Sequence, residues 1–283
     1  VLRDETKYDQ YANGFSIKTL FKVNGVGLTT AHDDFVIKME EKPLLEMYQE
    51  FQTTERNTEL LHEKFNVRKK TGWNILDGYD NIKLESDLKK YIYPISYRPF
   101  DNRYVFYEDK LVWRTVRKVM RHLLNGENLG LISARSNKSE TCDHFYISKN
   151  IMETKCGERT TQSAIFPLYL YPETTSRQTI NQSTERTPNL NAEIVKEITD
   201  NLSLTFTNEK ENTDNTFAPI DILDYIYSVL HSPTYRKKYK EFLKIDFPRV
   251  PYPKDQDTFW QLVKLGGEIR QIHLLESPKV EDY

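Results

Sequence analysis

The sequence has few cysteines and no long apolar run. Its two cysteines, Cys142 and Cys156, are too few for a disulfide framework and lack the partners of a Cys₄ or Cys₂His₂ zinc site. No apolar run approaches the roughly 18 residues that cross a bilayer, and no signal-peptide pattern opens the chain. We therefore expect a protein of the reducing cytoplasm with no membrane partner.

The chain also lacks a net charge of either sign. Its 40 Lys and Arg residues oppose 42 Asp and Glu, which leaves a net charge of −2 at pH 7. This balance excludes a globally cationic nucleic-acid binder, so any charge that binds DNA must be concentrated on one face. Disorder as the overall state is excluded as well, because 38% of the residues are hydrophobic and the net charge is low.

Aromatic residues are abundant, with 18 Tyr, 14 Phe and 3 Trp among 283 residues, enough to build a sizeable core. Strand and helix patterns predict an α+β fold with a strand-rich, mixed N-terminal portion (1–172). A polar, aliphatic-poor stretch (173–188) predicts an exposed loop or linker. After it, a helical C-terminal portion (189–283) is expected to pack on the first. Because the chain opens with Val1 and aromatics follow within fifteen residues, we expect a piece of a longer protein.

Individual elements follow from periodicity and from cap residues. In the N-terminal portion, these patterns predict short strands in 15–37, a helix from Pro43 to Phe65 and a short helix in 84–92. They further predict a β-hairpin in 91–113, a helix from Arg114 to Leu124, and strands near 129–134, 144–147 and 163–171. The C-terminal portion predicts helices alone, starting near Asn191, Pro219, Pro233 and Asp255.

Catalytic motifs are missing from the sequence. There is no Walker A loop, HExxH or GxSxG. The turn Asn24–Gly27 lacks the third glycine of a dinucleotide-binding loop and predicts a hairpin turn. Asp246–Arg249 superficially echoes the catalytic loop of amino-methyltransferases but lacks its second proline and closing aromatic, which favours a helix-ending turn. We therefore predict no catalytic residue, no metal site and no cofactor site in this chain, and an independent hydrolase would need a constellation that the sequence does not offer.

One segment is strongly cationic. Residues 89–121 carry nine Lys or Arg against three Asp or Glu, a net charge of +6, so the rest of the chain sums to −8. Helical spacing would place four of these cations on one face, where they would contact DNA phosphates; they are Arg114, Arg117, Lys118 and Arg121. The alternative is an ordinary solvated helix face.

Two polar segments carry side chains of the kinds that read base edges, and the first directly follows a predicted strand. The loop after residue 134 contains Arg135, Asn137 and Lys138, and the later segment 155–162 contains Arg159 and Gln162. Guanidinium, amide and ammonium groups are the donors that recognise bases in the major groove. We interpret these five residues as candidates for base readout and Lys155 as a further phosphate candidate. Loop polarity alone is also typical of ordinary surface loops.

Several sequence blocks resemble a known family. Tyr97–Arg103 reads Tyr-Arg-Pro-Phe-Asp-Asn-Arg and is similar to its YRPFDxR signature, and the most specific block is Phe217–Arg236. In this order of blocks the chain resembles, over about 15–276, the C-terminal target-recognition domain of Type ISP restriction–modification enzymes and of related single-chain Type II enzymes. It departs at Ala31–Asp33, where the family more often has Gly-Arg-Asp, which puts a DNA contact by that turn in doubt.

The resemblance implies a function and a parent enzyme. The parent would carry an N6-adenine DNA methyltransferase domain upstream, with S-adenosylmethionine as its cofactor, and in the full Type ISP case a nuclease and a helicase-like motor. This chain would be the module that recognises a specific duplex DNA sequence. Its partners would be double-stranded DNA and the methyltransferase domain. The alternative is a docking module that packs on the methyltransferase domain and reads little DNA.

Within that resemblance, we assign different roles to motifs and loops. The aromatic motifs should build the core, with Asp101 and Arg103 forming an internal charge pair. Specificity should reside in the loops 135–141 and 153–163, with 173–187 a weaker candidate. Three lysines of the helix expected from Pro233 could contact phosphates or simply form a solvated helix face: Lys237, Lys238 and Lys240.

Overall fold

A computed structural model describes residues 5–173 and 185–282, and its elements confirm the α+β class. The α-helices are α1 (Glu5–Ala12), α2 (Ile17–Leu20), α3 (Asp33–Val36), α4 (Glu41–Thr53), α5 (Thr58–Lys64), α6 (Ile75–Ile82), α7 (Arg117–Met120), α8 (Ala192–Leu202), α9 (Pro219–His231), α10 (Pro233–Leu243) and α11 (Gln256–His273). Short 3₁₀ turns cover Leu88–Tyr91, Arg121–Leu123 and Pro278–Asp282.

The strands are mostly short and form five small sheets within the described residues. They are β1 (Phe15–Ser16), β2 (Gly25–Val26), β3 (Ile37–Lys38), β4 (Ile92–Arg98), β5 (Asp101–Phe106), β6 (Gly130–Ala134), β7 (Phe145–Ser148), β8 (Ile151–Met152), β9 (Ser163–Pro167), β10 (Tyr169–Leu170), β11 (Thr187–Pro188), β12 (Thr205–Phe206), β13 (Thr216–Phe217) and β14 (Arg249–Val250).

Two four-stranded sheets organise the molecule. The central sheet has the order β2-β9-β6-β7 and is antiparallel throughout. The hairpin sheet has the order β3-β5-β4-β8, in which only the β4–β8 pair is parallel. The hairpin predicted in 91–113 is therefore confirmed as β4 and β5.

The central sheet is buried on both faces. Successive side chains of a strand point to opposite sides, and each side of this sheet faces its own hydrophobic core. Leu131 of β6 and its partner Phe166 of β9 belong to one hydrophobic core. Their neighbours Ile132 and Ile165, also paired, belong to the other. Every residue of β6 and β9 is consequently buried, including Ser133 and Ser163.

The first core joins the central sheet to the C-terminal helices. It includes Ile226 of α9 and Phe259 of α11 together with Phe15 and Tyr11 near the start of the chain. The second core lies between the central sheet and the hairpin sheet and includes helices α4 and α6. The division into 1–172 and 189–283 stays a prediction, but it does not coincide with the division of the cores, since N-terminal residues pack in both.

The C-terminal helices begin where their cap residues predict. The Asn191 side chain accepts hydrogen bonds from the second and third amides of α8, and Asp255 caps α11 by accepting from the Thr258 amide (2.8 Å). Proline at the first helical position starts α9 and α10. The region is not purely helical as predicted, because the short strands β12, β13 and β14 interrupt it.

Some N-terminal predictions were wrong. The segment 15–37 contains the helices α2 and α3 between its short strands, and the helix predicted from Pro43 to Phe65 is divided into α4 and α5. The helix predicted in 84–92 is only a 3₁₀ turn, whereas the helix α6 had not been predicted. Asn74 starts α6 by accepting a hydrogen bond from the Leu76 amide (3.1 Å). That cap signal was present in the sequence.

In residues 5–173 and 185–282, no helix is both long enough and apolar enough to cross a membrane. Most of the loop predicted at 173–188, which is the weaker specificity candidate, lies outside the described residues. The two stronger candidate loops are described completely.

Candidate nucleic-acid interface

The two loops singled out in the sequence emerge from the same end of the central sheet. The first, residues 135–144, joins the end of β6 to the start of β7, and the second, residues 153–162, ends where β9 begins. Ala134 pairs with Ser163, and Ser133 pairs with Phe145. These pairings place both loops side by side, so they can contact one ligand together. We call them the reading loops.

A side-chain hydrogen bond joins the reading loops. Nδ1 of His144 lies 2.8 Å from Oε2 of Glu158, whose side chain is 6% exposed. Glu158 also accepts hydrogen bonds from the amide and hydroxyl of Thr160. Burial raises the pKa of Glu158, but the hydrogen bonds from Thr160 and His144 outweigh burial and hold that pKa below its usual range. The carboxylate thus stays ionised and holds the two loops in one arrangement.

The first reading loop also rests on the end of α10. The Ser136 hydroxyl donates to the Lys244 carbonyl (2.7 Å) and the Asn137 amide to the Leu243 carbonyl (3.0 Å). Nε of Arg135 donates to Oδ1 of Asp246 at 3.0 Å. The bonds from Ser136 and Asn137 satisfy the carbonyls of Leu243 and Lys244 at the end of α10, where carbonyls otherwise lack partners. The predicted helix-ending turn at 246–249 therefore supports this loop.

The predicted base-reading residues divide into exposed and buried ones. Arg135, Lys138, Arg159 and Gln162 are all exposed, as is the phosphate candidate Lys155. Asn137 differs, because it is only 1% exposed and its Oδ1 accepts from the Ser139 hydroxyl (3.0 Å). The side-chain amide of Asn137 is buried within the loop and does not reach solvent. The expectation that Asn137 reads a base is therefore corrected to a role in holding the loop. For the exposed residues, base and phosphate contact stays a prediction.

The predicted cationic helix face does not form as a continuous row. Arg114 lies outside any helix, since its backbone bridges to Thr29. Val116 has a left-handed backbone (φ 51°), so α7 begins only at Arg117. The helix expected from residue 114 is shortened because the backbone of Trp113 and Arg114 bonds to Thr29 and Thr30 instead of coiling.

The four cations consequently have different surroundings. Arg117 is paired with Asp109 (2.7 Å), and Arg121 is partly buried and donates weakly to the Tyr171 carbonyl. Arg114 and Lys118 are exposed, and no carboxylate of the described chain lies within ion-pair distance of either. Of the four predicted phosphate contacts, these two are the most accessible.

The family follows from the sequence match. A model of the Type ISP C-terminal specificity domain family matches residues 19–283. The chain belongs to this family. The resemblance drawn from the sequence blocks is thereby confirmed.

Three solved structures contain a domain similar to this specificity domain. The cryo-EM structure of a DrdV–DNA complex matches with a TM-score of 0.66 and 21% identity over 97% of this chain and 26% of that chain. The ATP-dependent Type ISP restriction–modification enzyme LlaBIII bound to DNA gives 0.64 and 20% over 96% of this chain and 17% of that chain. A nuclease-deletion mutant of the Type ISP enzyme LlaGI with a DNA substrate mimic gives 0.59 and 20% over 96% and 20%.

At these identities the likeness shows a shared fold, and the specificity domain spans about a quarter of these chains or less. Among curated proteins, none matches this chain.

The signature motif of the specificity domain builds structure. The Tyr97 hydroxyl donates to Oδ2 of Asp33 (2.7 Å), and the guanidinium groups of Arg98 and Arg103 lie 3.9 and 4.0 Å from the centre of its ring. Arg103 pairs with Asp101 (2.8 Å), as predicted. Burial and the hydrogen bond to Asp33 raise the pKa of Tyr97 to about 12, so the phenol stays a neutral donor.

Arg98 links this motif to the second reading loop. Its guanidinium donates to Oε2 of Glu153 (2.7 Å), whose side chain is 7% exposed. Glu153 also accepts from the Lys155 amide (2.8 Å) and so fixes the first turn of the loop. Sequence reasoning missed this supporting role, because the partners lie 55 residues apart and Glu153 carries no local signal.

Proposed function

We propose that this domain recognises a short, specific sequence of duplex DNA through its two reading loops. The observation that carries the proposal is the shared position of the loops at one end of the central sheet, joined by His144 and Glu158. Membership of a specificity-domain family supports it. So do the similar structures, each of which is a complex with DNA or a DNA mimic.

Each exposed side chain has a chemistry suited to one part of the duplex. Arg135 and Arg159 can donate two hydrogen bonds to the O6 and N7 atoms of guanine, and Gln162 can pair with adenine in the same groove. Lys155 and Lys118 supply point charges that suit phosphates and carry no sequence information. The sheet below the loops fixes their backbone before DNA binds, which leaves mainly the side chains to lose conformational entropy on binding.

We further propose that the parent enzyme methylates adenine at N6, with S-adenosylmethionine bound outside this chain. Such an enzyme must rotate its target base out of the duplex. The reading loops would then hold the duplex beside that base while the methyltransferase domain of the same parent performs the transfer. The test is to map methylated adenines in DNA treated with the intact parent and S-adenosylmethionine. Methyl groups on cytosine, or none, would contradict this part.

DNA reading is tested by binding. The chain should select one short sequence from a pool of random duplexes, with an affinity that falls steeply with salt. Arg159→Ala should cost about 1–3 kcal/mol at one base pair and relax the choice there. Lys118→Ala should weaken all duplexes alike and reduce the salt slope by about 0.9. If both variants bound every duplex as the wild type does, the reading surface would lie elsewhere.

One observation favours docking as a second candidate function. Phe100, at the tip of the β4–β5 hairpin, and Leu275, just beyond α11, are 56% and 54% exposed and line the same small cavity. Exposed apolar side chains that share a site are typical of protein contacts. Tight binding of the separate methyltransferase domain, without retardation of any duplex, would establish docking as the main function.

A further inference from the structure

A second cationic surface lies outside the reading loops, and the function proposed above does not use it. It consists of exposed side chains around the turn Lys70–Trp73 and the neighbouring segment 110–114. We call it the turn patch: Arg68, Lys69, Lys70, Lys110 and Arg114. We propose that the turn patch binds DNA phosphates that flank the recognised sequence. This inference rests on the proposed function, because it extends the same bound duplex.

The turn is held rigidly by two tryptophans. The Trp73 amide donates to the Lys70 carbonyl (3.2 Å), and Gly72 adopts a left-handed backbone (φ 80°) that closes the turn. The indole Nε1 of Trp73 donates to the Lys110 carbonyl (2.8 Å). Nζ of Lys70 lies 4.2 Å from the centre of a Trp113 ring. These contacts join the turn Lys70–Trp73 to the segment 110–114 and position Lys70 before any ligand binds.

The charge of the turn patch is largely uncompensated. Lys69 pairs with Glu59 at 2.6 Å, but both side chains are well exposed, at 64% and 75%. Such surface pairs contribute little and yield readily to a polyanion. For the other four cations, the described chain offers no carboxylate within ion-pair distance. The pKa of the nearby His32 is lowered, mainly by burial and then by the positive charge of Lys70. The positive charge of the patch is thus felt by a neighbouring side chain.

The patch also contains a concave surface with neutral donors. An open cavity of about 390 Å³ is lined by Lys69 and Lys70 together with Thr58, Thr71 and Asn74, whose side-chain amide donates to Asp77 (3.2 Å). Ammonium, hydroxyl and amide groups are the donors that bind phosphate oxygens in protein–DNA contacts. The cations Lys110 and Arg114 do not line the cavity. Because the positive charge extends beyond the cavity, the patch suits a chain of phosphates better than a single small anion.

The backbone connects the turn patch directly to the second reading loop. The Gly27 amide donates to the Ser163 carbonyl (3.1 Å), and the Leu28 carbonyl accepts from the Thr154 amide (2.9 Å). The next residue, Thr29, accepts from the Arg114 amide (2.9 Å). One extended segment therefore runs along the reading loop and then along the patch.

The length of this segment sets the reach of the patch. His32 packs against Trp73 with ring centres 4.6 Å apart and the rings tilted by 44°, and it follows Leu28 by four residues. Four extended residues span at most ~14 Å, which corresponds to about four base pairs at 3.4 Å each. Ala31 has a left-handed backbone (φ 64°) that bends this segment, so a duplex seated on the second reading loop would reach the patch within about four base pairs. The patch therefore lies within one helical turn of that loop.

The test compares a short with a long duplex that carry the same recognised sequence. The short duplex, of about 12 base pairs, ends at the sequence, and the long one, of about 30, extends beyond it on both sides. The wild-type chain should bind the long duplex more tightly and with a steeper dependence on salt. The double variant Arg68→Gln/Lys70→Gln should lose that preference, and its salt slope on the long duplex should fall by about 2, at 0.9 for each phosphate contact.

Base preference should not change in the double variant, because phosphate contacts carry no sequence information. The control is Lys42→Gln on α4, since Lys42 is 82% exposed and pairs with Glu46 only at 3.7 Å. Thermal unfolding checks that each variant is folded, and Lys110→Gln serves as an independent variant with the same expectation on a smaller scale.

The outcomes separate the two proposals. If the wild type selects a sequence but the double variant and Lys110→Gln keep its preference for the long duplex, the turn patch does not bind DNA and the reading loops are unaffected. An equal loss in Lys42→Gln would also overturn the inference, because the effect would then be one of net charge. If the wild type binds no duplex, the proposed function fails and this inference with it.

Discussion

Arg135, which we expect to read a base, is paired with Asp246 in the free domain. This ion pair therefore competes with DNA for the Arg135 side chain. Substituting Asp246→Asn removes the negative charge but keeps Oδ1, which accepts a hydrogen bond from the Phe247 amide (2.9 Å). The turn after α10 should therefore keep its shape. The neutral amide oxygen would still accept from Arg135 at their 3.0 Å contact, but it would hold the guanidinium less tightly than the carboxylate does, so Arg135 would leave more readily to meet a base.

The expected changes in stability and in DNA affinity follow from how exposed the two paired side chains are. The side chains of Arg135 and Asp246 are 68% and 55% exposed, and exposed pairs contribute about 0.2–1 kcal/mol to stability. A bidentate contact between arginine and guanine contributes about 1–3 kcal/mol, so DNA competes successfully for Arg135 even in the wild type. Removing the competing pair should lower the free energy of unfolding by less than about 1 kcal/mol. It should tighten binding of the preferred duplex by up to about five-fold.

The assay is a fluorescence-anisotropy titration of the preferred duplex at low and moderate salt. Asp200→Asn is the matched control, because Asp200 is 59% exposed and pairs with Lys196 at 2.5 Å. The gain should disappear when Arg135→Gln is added to Asp246→Asn. An equal gain in the control, or a gain that persists without Arg135, would refute the reasoning, since the effect would then come from net charge alone.

Three further predictions concern the fold that supports the loops. Gly266→Ala should cost at least about 3 kcal/mol in thermal unfolding, because its Cβ would lie 1.8 Å from the Asp224 carbonyl oxygen of α9; retention of the wild-type midpoint would contradict this packing. Arg270→Met leaves the Asp224 carboxylate buried without its 2.7 Å partner and should cost about 3–5 kcal/mol, most of it recovered when Asp224→Leu is added. His122 is 2% exposed and its Nδ1 accepts from the Tyr171 amide, and burial lowers the pKa of His122 to about 4. Its folded pKa therefore lies below the unfolded value of about 6.5, so stability should fall by up to about 3 kcal/mol as the pH drops from 6.5 to 4, and a pH series of unfolding should show a smaller fall for His122→Asn.

Local signals predicted the parts of this fold that local interactions decide. Asn191 and the prolines that start α9 and α10 act on the backbone within a single turn, so those helix starts were confirmed. The β4–β5 hairpin was likewise predicted from two strand-forming runs around one turn. In each of these cases, the residues that form the element also carry its signal.

Predictions were wrong where distant partners decide the conformation. The segment after Arg114 has helical spacing, but its backbone bonds to Thr29, which lies 85 residues earlier, and the helix starts late. Asn137 looked like an exposed reader, yet carbonyls of α10 more than 100 residues later draw its loop inward. The turn patch escaped notice because Arg68–Lys70 lie outside the cationic segment 89–121 and join it only through Trp113.

The bond between His144 and Glu158 has a consequence for engineering new specificities. Each partner belongs to a different reading loop, so a loop transplanted alone from a relative would arrive without the partner that orients it. The two loops should therefore be exchanged together, as one cassette bounded by β6 and β9. The doubly buried central sheet provides anchor points at which such a cassette can be cut and rejoined, because both of its ends are fixed by pairs within that sheet.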